Sequence, residues 1–308
     1  MAKKSSPAKN QVQTPPPPKR LPWWLKPGVW LCIGMVTASG ALMVWLPASL
    51  PNLDERPEYQ YSLSETQFDL PEKWVPSNIL QQVIEASKLP ATVSILDPKL
   101  CENLAESWKS NPWVKQVNSV QITPDRQVKV DVEFRQPLAF VQVPRGLYPI
   151  DTQGVLLPPA DFQLDDTSKL PHIKGILTQP AGRTGEPWGD PAVEAAAKLL
   201  TLLTTPQQSD SYWNRFGFRV LVATSPSPER TRLDQLVFEI ETKGGNRVLW
   251  GKAPGLDQLE PTASVKLARL QDYVTRFGGL DANPTPQKID IRLFDGISLQ
   301  PLYEQIYR

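Results

Sequence analysis

Hydrophobic and polar positions divide the chain into segments of three kinds. An uncharged apolar run, from Val29 to Leu46, comes first. Between residues 79 and 108, apolar residues recur at helical spacing in two segments, which predicts two amphipathic helices. From residue 114 to residue 134, they alternate with polar residues on both sides of a turn, which predicts a β-hairpin.

Short strands are predicted on both sides of these elements. One lies around Tyr61–Leu70, before the two helices, and another covers Leu138–Val143, after the hairpin. The second helix has a clear start, because Asp97 can cap it and Pro98 suits its first position. Thr123–Arg126 forms the hairpin turn, with proline at its favoured second position. The predicted order is strand, helix, helix, strand, strand.

The second half of the chain predicts a β-domain with two helices. The first helix starts at Asp190-Pro191, and the second carries its apolar face within residues 267–277. Alternating apolar residues predict strands before, between and after these helices. We expect the strands to form an antiparallel sheet. The predicted strand segments lie within 147–158, 170–176, 218–222, 236–240, 247–251 and 288–301.

The apolar run near the start of the chain predicts a membrane span. The uncharged region extends from Pro27 to Leu53, and a helix needs about 20 residues to cross a bilayer. Six Lys and Arg residues precede the run and no acid does. Since positive segments stay on the cytoplasmic side, we expect a cytoplasmic tail over 1–26 and a transmembrane helix over 27–50.

This pattern predicts a single-pass protein of the cell (inner) membrane, with an extracytoplasmic or periplasmic C-terminal domain. A cleaved signal peptide is the alternative, but its apolar region would cover only about 7–15 residues. The tail includes four consecutive prolines, Pro15–Pro18. Such a run favours extended geometry and cannot bury a core. The tail is therefore expected to be disordered, or to act as a docking peptide.

Composition favours short strands and argues against nucleic-acid binding. The 308 residues include 33 prolines, which disfavour long helices. Six of the 33 Lys and Arg residues precede Asp54, so 27 remain after it against all 32 acidic residues. Because phosphate contacts need clustered basic side chains, this mildly acidic part is not expected to bind nucleic acid.

No recognisable catalytic constellation is present, so we expect no enzyme activity, cofactor, metal or small-molecule substrate. The two cysteines and one histidine are too few for the usual zinc sites. His172 lies in a predicted strand, and Asp165-Asp166 lies in a polar loop. Gly244-Gly245 marks a turn, because no phosphate-loop pattern surrounds it.

Residues 111–141 read NPWVKQVNSVQITPDRQVKVDVEFRQPLAFV. This segment resembles the corresponding segment of the bacterial cell-division family FtsQ/DivIB, which also has a cytoplasmic tail, one span and a POTRA domain. The resemblance implies a POTRA domain of order β-α-α-β-β over residues 57–144, followed by a β-domain over residues 145–308. The matching residues are Pro112, Trp113, Val114, Pro124, Val128, Val130, Val132, Glu133, Pro137 and Ala139.

A second island of resemblance lies near the C-terminus, in KIDIRLFDGISLQP (Lys288–Pro301). Leu293 and Phe294 depart from the family pattern, because the aromatic residue is shifted by one place. The segments 161–190 and 207–232 are longer and richer in proline than the resemblance leads us to expect. The matching residues are Ile289, Asp290, Ile291, Arg292, Gly296 and Leu299.

The resemblance implies a non-catalytic scaffold for septum formation. Its last strands would recruit small single-span coiled-coil proteins of the FtsB/FtsL type by β-strand addition. The alternatives are a POTRA-containing envelope transport or secretion component, and an ordinary hairpin without a partner. Asp290 and Arg292 either belong to the site or pair with each other. The partner-binding residues that the resemblance implies are Arg292, Leu293, Phe294, Asp295, Gly296, Ile297, Ser298 and Leu299.

Overall fold

A computed structural model of the chain describes residues 27–49, 53–70, 73–205, 211–224 and 233–302. The fold is α+β, and the chain divides between Arg56 and Pro57 into two compact units. The predicted tail over 1–26 lies outside the described residues, as does part of the segment 207–232. The helices are α1 (Pro27–Ser49), α2 (Ile79–Ser87), α3 (Leu100–Lys109), α4 (Pro191–Thr204), α5 (Tyr212–Arg215) and α6 (Ala263–Phe277).

The strands in the described ranges have three to nine residues. The described part of the chain also contains 3-10 turns at Leu53–Glu55, Pro57–Tyr59, Leu63–Glu65, Pro159–Asp161 and Leu164–Ser168. The strands are β1 (Gln60–Ser62), β2 (Thr92–Ser94), β3 (Val114–Ile122), β4 (Val128–Phe134), β5 (Pro137–Val143), β6 (Gly146–Asp151), β7 (His172–Lys174), β8 (Phe218–Thr224), β9 (Val237–Thr242), β10 (Arg247–Gly251), β11 (Gln287–Asp290) and β12 (Ser298–Pro301).

The predicted transmembrane helix and the single-pass membrane localisation are wrong. Helix α1 forms over the predicted segment, but no helix in the described ranges is long and apolar enough to cross a membrane. Small and hydroxyl-bearing residues interrupt its run of large apolar side chains, among them Gly34, Thr37, Ser39 and Gly40. The hydroxyl of Thr37 donates to the carbonyl oxygen of Ile33 at 3.0 Å.

The first part of the second unit contains most of the predicted elements, but the predicted β-α-α-β-β order is not formed: β2, between the two helices, was not predicted, and β5 pairs with β6 and β7 and not with the hairpin. Strands β1 and β2 pair antiparallel, α2 and α3 follow the expected segments, and β3 and β4 form the hairpin. The hairpin has the predicted bounds, Val114–Ile122 and Val128–Phe134. The predicted strand Tyr61–Leu70 is largely replaced by the 3-10 turn Leu63–Glu65, and Gln67 forms only an isolated bridge.

The rest of the unit is an eight-stranded sheet in the order β12-β11-β10-β9-β8-β7-β5-β6. The pairs β5–β7, β7–β8 and β10–β11 are parallel, so the predicted antiparallel β-domain is wrong. Parallel neighbours need a crossover connection. Helix α4 lies in the chain between β7 and β8, and α6 lies between β10 and β11. Alternation of apolar residues shows which face of a strand is buried but not its direction.

The segment 161–190 joins the hairpin to the large sheet. The ring of Phe162 stacks on that of Trp113 with centroids 5.8 Å apart, and it also lies 5.9 Å from the ring of Trp74. On its other side it meets Phe140 of β5 at 5.5 Å, edge to face. The indole Nε1 of Trp113 donates to Asp161 at 2.7 Å. This segment therefore packs the two parts of the second unit against each other.

Candidate partner-binding edge

Strand β12 forms one edge of the eight-stranded sheet. Among the described strands it pairs only with β11, in antiparallel register. An edge strand presents backbone N–H and C=O groups that a strand of another chain can bind. The edge is therefore a candidate site for strand addition.

The hydrogen bond that follows β12 shows which of its backbone groups face outward. The N–H of Leu302 donates to the carbonyl oxygen of Pro286 at 3.1 Å. The same register continues through Gln300 and Ser298. Because successive residues of a strand alternate in direction, the N–H and C=O of Leu299 point away from β11.

This free edge is short and well defined. Pro301 has the same orientation as Leu299, but it has no N–H and offers only its carbonyl oxygen. A short edge strand that ends in proline limits unspecific pairing. A partner strand must therefore align with Leu299 to form a reciprocal pair of hydrogen bonds.

A row of apolar side chains crosses the helix-covered face of the sheet and ends at this edge. The sheet register places five fully buried side chains next to one another from β7 to β11, and Leu299 follows as the sixth. Leu299 is 44% exposed, so the last side chain of the row is not covered by other described residues. The five buried members are Ile173, Leu221, Ile240, Val248 and Ile289.

A groove of about 450 Å³ lies between β12 and helix α6. Its apolar wall includes Leu299, Ile297 and Phe277, and Phe277 is 57% exposed. Charged side chains of α6 form its rim, among them Asp272 and Arg276. Side chains of a strand alternate between the two faces of a sheet. An added strand would therefore direct alternate side chains into this groove.

The eight predicted site residues divide between a loop and the strand. Arg292–Ile297 lie in the loop between β11 and β12, which begins at Ile291, and Ser298 and Leu299 begin β12. Gln300 and Pro301 complete the edge strand but were missed. The proline at the end of this segment was the available signal, because prolines in sheets lie at edges and ends.

Arg269 of helix α6 fixes the loop. Its Nη1 group donates to the carbonyl oxygens of Ile291 at 3.1 Å and Gly296 at 3.4 Å, and to that of Leu293. Its Nη2 group donates to the carbonyl oxygen of Phe294 at 2.8 Å. One guanidinium group thus satisfies four loop carbonyls. The sequence gives no signal for this role, because an arginine on the polar side of an amphipathic helix is usually solvated.

Asp290 and Arg292 pair with each other. The Nε and Nη2 groups of Arg292 donate to the two carboxylate oxygens of Asp290 at 2.9 and 2.7 Å, and the backbone N–H of Arg292 adds a third bond at 3.0 Å. Burial acts to raise the pKa of Asp290. The hydrogen bonds and charge of Arg292 outweigh burial and hold the pKa below its usual value.

We expect the Asp290→Asn substitution to reduce the acid sensitivity of the fold. Since the folded-state pKa of Asp290 is below its unfolded value of about 3.9, the carboxylate stabilises the fold above that pH. The stabilisation is lost as the pH falls through the folded-state pKa. In urea unfolding at neutral pH and near pH 3, the wild type should lose more stability on acidification than the variant.

Asp295→Asn is the control for that measurement, because Asp295 is an exposed acid on the same loop. It tests whether the removal of any one negative charge has the same effect. Equal losses of stability in the wild type and Asp290→Asn would show that the pair does not contribute.

The residues that the sequence singled out for chemistry have structural contacts. His172 Nε2 lies 2.7 Å from the carbonyl oxygen of Thr167. Asp166 accepts from Lys169 Nζ at 2.8 Å. The N–H of Gly244 donates to the carboxylate of Asp281 at 2.9 Å. Within the ranges that the structure describes, no cluster of His, Cys, Asp or Glu could hold a metal ion.

A scan against protein-family models and a search of the curated proteins find no match for this chain. The resemblance to the FtsQ/DivIB family therefore stays a prediction. The function has to be inferred from the geometry of the β12 edge.

Proposed function

We propose that this protein is a non-catalytic scaffold of the bacterial cell-division complex. It recruits small coiled-coil partner proteins of the FtsB/FtsL type, and a strand of the partner adds to β12. The observation that carries this proposal is the exposed end of the apolar row. Leu299 continues that row at an edge where its own N–H and C=O face outward.

The two faces of the edge define the chemistry of the partner strand. On the helix-covered face, an apolar side chain of the partner would cover Leu299 and fill the groove beside Phe277. On the other face, the polar residues Ser298 and Gln300 are paired with Asp290 and Lys288 of β11, respectively. An alternating apolar and polar segment fits this edge.

The sequence resemblance supports the same edge independently. The second island of resemblance, Lys288–Pro301, covers β11, the loop held by Arg269, and β12. Backbone pairing depends little on side-chain identity. The shifted aromatic residue Phe294, which is 72% exposed on the loop, therefore leaves strand addition intact.

Depletion of this protein in its own cells tests the proposal. We expect septation to stop and the cells to grow as filaments, because partner recruitment to the division site fails. A copy of the gene resistant to depletion should restore division. Cells that continue to divide normally after depletion would contradict a role in septum formation.

The edge of β3 left unpaired within the described ranges favours the alternative, a transport component, because an open edge can bind an extended chain. Strand β3 is nine residues long, and among the described strands it pairs only with β4. Its ladder with β4 has two register shifts, between Val114 and Gln116 and between Val117 and Ser119. Such irregularities protect an edge from pairing. Strand β12 is therefore the better candidate.

A further inference from the structure

A concavity of about 740 Å³ opens at the end of the sheet opposite the loop 292–297. Strands β10 and β11 are parallel. The turn that precedes β10 and the loop that follows β11 therefore lie at opposite ends of the strands. The concavity is lined by the turn before β10 and by residues of β7, β8 and the segment before β7. It is separate from the groove beside α6.

Positive charge is concentrated in this concavity. Five basic side chains line it, against one acidic side chain, Glu241. The chain from Asp54 onward has 27 basic and 32 acidic residues, so an excess of positive charge is unusual on this domain. The basic side chains are Lys169, Lys174, Arg219, Lys243 and Arg247.

Three of these cations are available to a ligand. Lys169 and Arg247 already form ion pairs with carboxylates, at 2.8 and 3.5 Å. Lys174, Arg219 and Lys243 form no ion pair with any residue that the structure describes. Three unpaired cations around one concave surface favour an anionic ligand.

Hydrogen bonds hold the backbone segments that carry these three cations. The turn that carries Lys243 is bound by Asp281, whose carboxylate accepts from the N–H of Gly244 at 2.9 Å and from Asn246 Nδ2 at 2.7 Å. The N–H of Lys243 donates to the carbonyl oxygen of Gly217 at 2.9 Å. Lys174 and Arg219 lie on β7 and β8. Their backbones are therefore held in the sheet. Ligand binding does not have to order these backbone segments, which lowers its entropic cost.

The concavity is continuous with the β12 edge. Leu302, which directly follows β12, is one of its lining residues. A chain that pairs with β12 and continues past Pro301 therefore enters this concavity at Leu302, and Lys243, in the turn between β9 and β10, is the nearest of the three cations by strand order. A peptide extension is the ligand that this continuity favours, over a separate anionic polymer.

We propose that the concavity binds an acidic segment of the partner chain, adjacent to the strand that pairs with β12. The identity of that chain rests on the proposed function. The acidic character of the segment follows from the charge of the concavity alone. The segment is rich in Asp and Glu, which bind Lys174, Arg219 and Lys243.

A fluorescein-labelled deca-glutamate peptide tests this proposal with the full-length protein. Fluorescence anisotropy should show binding at low ionic strength and its loss at about 0.3 M salt, where surface charges are screened. The triple variant Lys174→Glu, Arg219→Glu, Lys243→Glu should bind at least about 10-fold more weakly, because each reversal replaces an attraction by a repulsion.

A second triple variant is the matched control. Lys99→Glu, Lys109→Glu and Lys198→Glu make the same change in net charge at exposed positions outside the concavity. With affinities compared at about 0.1 M salt, this variant should keep its affinity within about threefold, since charges more than about 10 Å from the bound peptide are then largely screened. Equal weakening in both variants, or no binding by the wild type, would overturn the proposal. Tighter binding of a single-stranded DNA of equal charge would overturn the choice of a peptide.

The Leu299→Pro variant separates this proposal from the function on which it rests. Deca-glutamate does not need the β12 edge, so this variant should bind the peptide as the wild type does. Loss of peptide binding in Leu299→Pro would contradict a separate acidic site. A failure of strand addition, in contrast, would leave the peptide result unchanged.

Discussion

Replacing Leu299 with proline is expected to reduce recruitment at the β12 edge by about 10- to 100-fold, which corresponds to the loss of one backbone pairing at about 1–3 kcal/mol. Proline removes the outward N–H of Leu299, and its ring obstructs an approaching strand. The ladder to β11 keeps its bonds, because these come from Ser298 and Gln300. The yield of a photo-crosslinked adduct from Phe294, on the adjoining loop, measures recruitment in cells.

Leu299→Val is the matched control for the edge. Valine keeps the backbone N–H and an apolar side chain at the end of the row, and it is well suited to a strand. We expect its adduct yield to stay within about threefold of the wild type, since the backbone pairing is intact. If the proline and valine variants gave equal yields, pairing with the backbone of β12 would be excluded.

A second large effect is expected for stability, at the buried ion pair between Lys266 and Glu260. Lys266 is 0% exposed, and its Nζ lies 2.7 Å from a Glu260 oxygen and 5.4 Å from the ring centre of Trp250. The same carboxylate accepts from the N–H of Lys252 at 2.9 Å. Glu260→Ala leaves a buried ammonium group without its carboxylate. We expect a loss of about 3–5 kcal/mol in the free energy of unfolding.

Urea unfolding followed by tryptophan fluorescence measures this loss. The double variant Glu260→Gln, Lys266→Met is the control, because it removes both charges and keeps apolar volume beside Trp250. It should be more stable than Glu260→Ala, since no unpaired charge remains buried. A loss below about 1 kcal/mol in Glu260→Ala would place the pair among ordinary surface ion pairs.

The elements predicted best from the sequence are those whose formation depends on residues close to one another in the chain. The β3–β4 hairpin has the predicted bounds because alternating valines and the turn at Thr123–Arg126 act over a few residues. Helix α3 begins at Leu100, near the predicted start, and Asp97 accepts from the N–H of Lys99 at 2.9 Å. The segment 27–49 is helical as predicted, whereas its assignment as a membrane span was wrong.

Features that depend on distant residues were not predicted. The direction of the strands in the large sheet depends on how α4 and α6 return the chain to it, and the apolar pattern does not encode that path. The role of Arg269 depends on a loop more than twenty residues further along the chain. Phe162 lies in a segment rich in proline, and only the folded chain brings it to Trp113 and Phe140.

The candidate site was predicted in part, through resemblance. Leu299 was included, and the structure places it at the edge of the sheet. Arg292 was included as a partner contact, and the structure shows it in an ion pair with Asp290. The decisive property of the edge, outward backbone groups at Leu299, follows from strand order and register, which no short motif specifies.

The most direct test of strand addition at β12 is the identity of the chain that contacts it. A photo-crosslinker at Phe294 in the full-length protein captures that chain in cells, and mass spectrometry identifies it. We predict a small coiled-coil division protein whose adduct is lost in Leu299→Pro. A reproducible adduct to a secretion or transport protein, or no adduct from the folded protein, would contradict the scaffold function.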